Sequence, residues 1–227
     1  MIDIHSHILP AVDDGSADAT TSLKMLTEAK LQGITDVVLT PHYRADYLTD
    51  RGDLEKAFQE FKVAVQDEGI DVELYLGQEI YAFDGVADAI ENGKLLTLNG
   101  TKYVLVEFSL SREMDIVETV YGLITKGFIP IVAHIDRYYY ADVETAREVK
   151  DIGGLVQINA GTICNKGGQR RKTFEMIKEG LVDFVASDVH SKRVNYMEKA
   201  YKIVKKKFGD ETAEKLFNEN AKILINK

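Results

Sequence analysis

The 227-residue chain holds one cysteine, Cys164, so no intrachain disulfide can form. The Cys-x5-Arg loop of thiol phosphatases is missing around it, which leaves a passive thiol as the reading. Tryptophan is absent and there are three prolines, neither of which decides function. No apolar run approaches the roughly 20 residues that a bilayer span needs. The start, Met1-Ile2-Asp3-Ile4-His5, lacks the charged lead and apolar stretch of a secretory signal. A cytoplasmic protein without membrane insertion is expected. A basic stripe is lacking too: the formal net charge is −9, which argues against a nucleic-acid partner. An acidic chain that acts on an anionic substrate needs local cations, so bound metal or clustered arginine is worth seeking.

What the sequence does have is enough apolar material, 45% of residues, for a sizeable core. Charged residues make up 29% and are spread along the chain, unlike a disordered protein. Repeats, low-complexity tracts and linkers are not seen, so a single domain over residues 1–227 is expected. Seven short apolar runs read as strands: Met1–His5, Asp36–Thr40, Val72–Leu76, Tyr103–Phe108, Ile129–His134, Leu155–Asn159 and Phe184–Ser187. They are continuous rather than alternating, as parallel strands covered on both faces are. Helical stripes lie between them. Leu54, Ala57, Phe58, Phe61 and Val65 form one, and Met197, Ala200, Tyr201, Val204 and Phe208 another; Ala213, Leu216, Phe217, Ala221 and Leu224 mark a last helix. Gly33, Gly127 and Gly180 stand where helices should end. The rhythm predicts a barrel of the TIM type with one unit missing; an open doubly wound sheet has the same local signature.

The polar residues concentrate where those strands end. His5 and His7 close the first strand and His42 follows the second. Glu79 follows the third, Glu107 ends the fourth, His134 the fifth, and Asp188 and His190 the last. All five histidines of the chain fall in such positions. In a parallel βα barrel the C-terminal strand ends meet at one mouth. His5-Ser6-His7 and Asp188-Val189-His190 each put alternate side chains on one face. Carboxylates buried at apolar strand ends are costly unless paired or metal-bound. Together they exceed one tetrahedral site, which implies two or three divalent ions. Imidazole and carboxylate without thiolate suit manganese, iron or zinc. Asp13-Asp14-Gly15 reads equally as a turn feeding a Ser16 N-cap or as further ligation. Arg137 and Arg193 each follow a motif histidine by three residues, where guanidinium could capture phosphate.

Ile-Asp-Ile-His-Ser-His-Ile-Leu-Pro, Val-Asp-Asp-Gly-Ser, Thr-Pro-His42, Gly-Gln-Glu79-Ile-Tyr, Val-Glu107-Phe-Ser, Ala-His134-Ile-Asp-Arg137-Tyr and Ala-Ser-Asp188-Val-His190 resemble the PHP (polymerase and histidinol phosphatase) superfamily. Within it they are similar to bacterial protein-tyrosine phosphatases of capsule and exopolysaccharide operons. The likeness runs from residue 1 to about residue 220. It implies a distorted seven-unit βα barrel with a trinuclear, usually manganese-activated centre at the C-terminal strand ends. It also implies hydrolysis of phosphotyrosine on the Tyr-rich tail of a partner tyrosine kinase. Carried over motif by motif, the ligands are His5, His7, Asp14, His42, Glu79, Glu107, His134, Asp188 and His190, with Arg137 and Arg193 on the substrate phosphate. Two positions depart from the pattern. Ser191 replaces the usual Asn, and the loop after it is short and lacks Arg-Pro-Pro, so Arg170 and Arg171 are alternatives to Arg193. The rival functions are hydrolysis of a small phosphoester such as histidinol phosphate, amide hydrolysis, and non-catalytic metal-dependent regulation.

Overall fold

The computed structural model describes residues 1–47 and 49–225; Leu48, Asn226 and Lys227, part of the expected 1–227 unit, lie outside the described residues. Among the described residues there are nine strands: β1 Ile2–Ser6, β2 Asp36–Leu39, β3 His42–Tyr43, β4 Glu73–Leu76, β5 Glu79–Tyr81, β6 Tyr103–Glu107, β7 Ile129–Val132, β8 Leu155–Asn159 and β9 Phe184–Ala186. All pairings among them are parallel. Every expected strand region holds one, and two continue past a break. Thr40-Pro41 separates β2 from β3, where Pro41 has no amide to donate to a ladder. Gly77-Gln78 separates β4 from β5, where a Cβ on residue 77 would sit 2.6 Å from Leu98 Cδ2.

The strands run β1-β2-β4 in one sheet and β3-β5-β6-β7-β8-β9 in the other. Two hydrogen bonds close the ring. Asp188 N donates to His5 O at 2.9 Å, and His7 N donates to Val189 O at 3.1 Å. This closure separates a barrel from the open doubly wound sheet. The distortion lies between β4 and β6, where the turn at Leu98–Gly100 packs against both.

Helices alternate with the strands: α1 Ala19–Leu31, α2 Arg51–Asp67, α3 Val86–Glu91, α4 Ile116–Thr125, α5 Val143–Asp151, α6 Ala160–Cys164, α7 Gly168–Lys178, α8 Met197–Phe208, α9 Asp210–Glu214 and α10 Lys222–Ile225. The α2 stripe buries Leu54, Phe58, Phe61 and Val65. Gly33, Gly127 and Gly180 have φ of 80°, 87° and 73°, the left-handed turn that ends a helix. Two sequence expectations need correction. The cap of α1 is Asp18, whose side chain accepts from Thr21 N, while the Ser16 hydroxyl is buried and donates to Asp18 O. The last helix is not continuous: a wide π turn over Lys215–Glu219 follows α9. That turn serves two cores. Ala213, Leu216 and Phe217 pack in the outer layer, whereas Ala221 and Leu224 join the barrel interior.

The interior is apolar at its base, with Ile2, Ile4, Val38, Leu105, Ile131 and Phe184. Continuing along the same strand faces toward the mouth, it becomes polar. Glu107 follows Leu105, and Asp188 follows Phe184 and Ala186, at the two-residue period of a strand. The register of β1 shifts between Asp3 and Ser6. Ile4 therefore packs in the interior cluster and His5 also faces the lumen.

Candidate metal centre

At the mouth, Glu79 from β5 stands among four imidazoles. Its Oε1 is 2.9 Å from His134 Nε2 and 3.2 Å from His5 Nε2; its Oε2 is 2.8 Å from His42 Nδ1 and 3.2 Å from His7 Nε2. Asp188 Oδ1 lies 3.5 Å from His7 Nε2, 3.7 Å from His5 Nε2 and 3.6 Å from His190 Nδ1. Glu107 reaches to 3.6 Å of His42 Nδ1 and 3.7 Å of His134 Nε2. Four sets of potential ligands result: His7-His42-His190, His5-Glu79-His134, His5-His7-Asp188 and His42-Glu79-Glu107, with donor atoms of each set within 4.8 Å of one another. Eight of the nine expected ligand residues fall in these sets, all of them buried. Asp14, the ninth, stands at the rim with Oδ1 3.5 Å from His42 Nε2 and 3.6 Å from His190 Nε2.

Behind the donors, other residues fix how the rings point. His7 Nδ1 donates to Asp13 Oδ2 at 2.7 Å, and His5 Nδ1 meets Gln157 Oε1 at 3.1 Å. Each ring thereby turns Nε2 to the lumen, and those two nitrogens are only 3.2 Å apart. Two lone pairs facing each other repel unless a proton or a cation lies between them. Gln157 Oε1 also accepts His134 N at 2.7 Å, and its amide donates to Asn159. His134 and Asp188 have φ of 30° and 48°, strained for residues with a side chain. The bonds from their own amides, to Gln157 and to His5 O, hold them there.

Burial and close neighbours push these groups in opposite directions. Burial lifts the Glu107 carboxyl, and the neighbouring Glu79 adds to it, up to about 8. For Glu79 burial acts upward, but His5, His42 and His134 outweigh it and hold the group well below the usual carboxylate range. Burial, then His7, brings His190 down to about 4. Burial would lower His7, yet Asp13 and Glu79 hold it well above its ordinary value. Among the described residues, His42 Nδ1, Glu79 Oε2, Glu107 Oε2, His134 Nδ1 and His190 Nε2 are buried with no aligned hydrogen-bond partner. Such atoms are costly to bury unless something satisfies them. Nitrogen and oxygen donors at this density fit two or three divalent cations, and no thiol is among them.

The arginines meet on the outer side of Asp188. Arg137 Nη1 and Arg193 Nη1 each lie 3.0 Å from Asp188 Oδ2, and Arg193 Nη1 is also 3.2 Å from Asp188 O. Asn159 Nδ2 donates to the same Oδ2 at 2.8 Å. One carboxylate oxygen thus faces the imidazoles and the other gathers two guanidiniums. The short loop after His190 still delivers Arg193 to the mouth. Both arginines line a cleft of about 960 Å³ that also receives Arg170. Arg171 is exposed and is not among its lining residues. Cys164 does not line the cleft either, and burial raises its thiol above the ordinary value.

Sequence reasoning missed Gln157 and Asn159 and left the task of Asp13 open. The signal for the first two was present, because Gln157 and Asn159 are polar at alternate positions of an otherwise apolar strand. For Asp13 no local signal distinguishes it from Asp14; the fold assigns one to hold His7 and the other to the rim.

A parallel βα barrel with imidazoles and carboxylates gathered at its mouth, flanked by arginines, defines a class of metal-binding barrel suited to anionic substrates. The chain belongs to the capsular polysaccharide synthesis CpsB/CapC family, whose profile matches residues 1–226. It is 33% identical over 233 residues to tyrosine-protein phosphatase YwqE of Bacillus subtilis, covering 99% of this chain and 91% of that protein. Against tyrosine-protein phosphatase CpsB of Streptococcus agalactiae the identity is 33% over 238 residues, covering 99% and 98%. A solved structure described with YwqE from Bacillus subtilis and CpsB from Streptococcus pneumoniae as unique metal-dependent tyrosine phosphatases superposes with a TM-score of 0.92. That match is 30% identical and covers 100% of this chain and 95% of the other.

Proposed function

We propose that the protein is a metal-dependent protein-tyrosine phosphatase acting in capsule or exopolysaccharide synthesis. The observation that carries this is the cluster of eight buried nitrogen- and oxygen-bearing side chains, with two arginines beside it on an open cleft. Tyrosine phosphatases related over nearly the whole chain support it. In this reading residues 1–227 form one catalytic unit in the cytoplasm. His5, His7, His42, Glu79, Glu107, His134, Asp188 and His190 hold the ions, joined by Asp14 from the rim, and manganese is the first choice. Bound divalent ions supply Lewis-acid charge and bring the pKa of water toward neutrality. Arg137 and Arg193 bind the non-bridging phosphate oxygens, kept in place by the outer oxygen of Asp188. Asp13 and Gln157 keep His7 and His5 turned to the centre. Tyrosine leaves as a phenolate, which needs less proton assistance than an alkoxide. The substrate would be the tyrosine-phosphorylated tail of a kinase that controls polysaccharide assembly.

The test is a parallel assay of p-nitrophenyl phosphate, a phosphotyrosyl peptide, a phosphoseryl peptide and histidinol phosphate, with Mn²⁺ and again with EDTA. Hydrolysis of the phosphotyrosyl peptide, lost with EDTA and restored by Mn²⁺, is expected. Full activity in protein shown by elemental analysis to be metal-free would refute the reading. A preference for histidinol phosphate would move the activity to small phosphoesters.

A further inference from the structure

The cleft beside the centre carries more positive charge than one phosphate requires. Arg137, Lys166, Arg170 and Arg193 line it, and among the described residues the one acidic side chain on its wall is Asp188. That carboxylate is already engaged by Arg137 and Arg193. Lys166 and Arg170 come from a different part of the chain, the connection after α6 and the first turn of α7. Among the described residues neither forms an ion pair, although the chain as a whole carries a net charge of −9. Arg170 is held in place all the same. Its guanidinium lies over the Phe174 ring, 4.8 Å from the centroid, and its Nε is enclosed without a hydrogen-bond partner. A positioned cation that no acid neutralises, on the wall of a concave surface, raises the local potential for anions. The volume of about 960 Å³ also exceeds what a single phosphotyrosyl side chain fills.

We propose that this cleft contains a second anion subsite, in which Lys166 and Arg170 bind another negatively charged side chain of the same phosphotyrosyl polypeptide. The inference rests on the phosphatase reading and specifies its substrate. The shared chemistry is an anionic group near the phosphotyrosine that is cleaved, either a carboxylate or a second phosphotyrosine. A phosphoryl group carries close to two charges against one for a carboxylate, and its oxygens match the planar fork of arginine. A neutral polypeptide would leave Lys166 and Arg170 without a partner.

The test uses the full chain and three peptides of equal length. In the first, phosphotyrosine is flanked by neutral residues; in the second by glutamates; the third bears a second phosphotyrosine. The manganese-loaded protein gives kcat/KM for each, with p-nitrophenyl phosphate as a reference. Fluorescence anisotropy on labelled peptides, with EDTA present so that nothing is hydrolysed, gives relative Kd values. At least one doubly anionic peptide should be favoured roughly three- to tenfold in both measurements, an advantage that shrinks as ionic strength rises. Glutamate and second-phosphate arms tell which source the subsite takes. Arg170→Gln should collapse the ratio between doubly anionic and neutral peptides toward one, Arg170→Lys should keep part of it, and Lys166→Gln at its exposed position gives an independent reading. Equal kcat/KM and equal Kd across all three peptides would overturn the subsite while leaving the phosphatase reading intact. No turnover of any substrate, with unequal Kd values that depend on Arg170, would refute the catalytic reading and retain the subsite.

Discussion

Glu79 is the side chain on which the centre turns, since its two oxygens lie within 3.2 Å of four different imidazoles. What keeps those rings in position is one layer further out. Asp13 accepts from His7 Nδ1, from His42 N at 3.0 Å and from Gly15 N at 2.9 Å. Burial alone would raise its pKa, but His7 and the two amides outweigh it, so the carboxylate stays charged. In Asp13→Asn one of those donors must face an NH₂ group. We expect the folded variant to bind Mn²⁺ about 10- to 100-fold more weakly, as outer partners of metal-bound histidine generally allow. Unchanged affinity in a metal titration would remove Asp13 from the centre. Arg137→Ala or Arg193→Ala should leave metal content intact. Loss of one charge-assisted phosphate contact should lower kcat/KM roughly 30- to 1000-fold, about 2–4 kcal/mol. Lysine at either position should restore only part, lacking the planar fork. Normal kinetics together with normal metal content would show that the residue does not touch substrate.

At the scale of elements, the loop after β1 carries the tightest packing near the site. A Cβ on Gly15 would lie 2.1 Å from His7 O and 2.3 Å from His7 Cβ, and His7 is held just past β1 by the bond from its amide to Val189 O. Gly15 O also accepts Ser191 N at 2.8 Å, linking this loop to the one after His190. Gly15→Ala must therefore push the loop outward and carry Asp13 and Asp14 with it. Overpacking of this kind costs about 1–3 kcal/mol. In a chain of this size each kcal/mol lowers Tm by roughly 2–4 °C. A melt equal to the wild type with unchanged Mn²⁺ affinity would contradict that account.

For the whole molecule, the ion-free and ion-loaded forms should differ in protons as well as in stability. Glu107 sits near 8 in the ion-free protein, above its ordinary 4.5, and His7 is raised well above 6.5. For both groups the folded form holds a proton that the unfolded chain has given up. Their contribution to stability is therefore present at low pH and falls as pH rises through that window. A cation needs the deprotonated ligands, so binding at pH 7 should release protons and tighten from pH 6 to 8. Titration calorimetry in two buffers of different ionisation enthalpy reads the release directly; none at pH 7 would refute it. An ion at 100 times its Kd should add about 2.7 kcal/mol of stability, which EDTA removes.

The sequence by itself determined the seven strand regions, most helix stripes and which residues are candidate ligands. Apolar runs and the placement of five histidines at their ends are local properties, and parallel topology converts strand ends into a common mouth. It could not separate a closed barrel from an open sheet, because the bonds that close the ring join residues more than 180 apart, His5 to Asp188. Nor could it assign Asp13 and Asp14, adjacent and identical in chemistry, to the separate tasks of orienting His7 and standing at the rim. The wide turn at Lys215–Glu219 also depends on which of two cores each residue meets. Both arginines were named from sequence, but only tertiary structure put Arg137 and Arg193 on one oxygen of Asp188 and set Arg170, not Arg171, on the same cleft. Side-chain reach and cleft shape arise from packing between elements distant in sequence, and no local pattern records them.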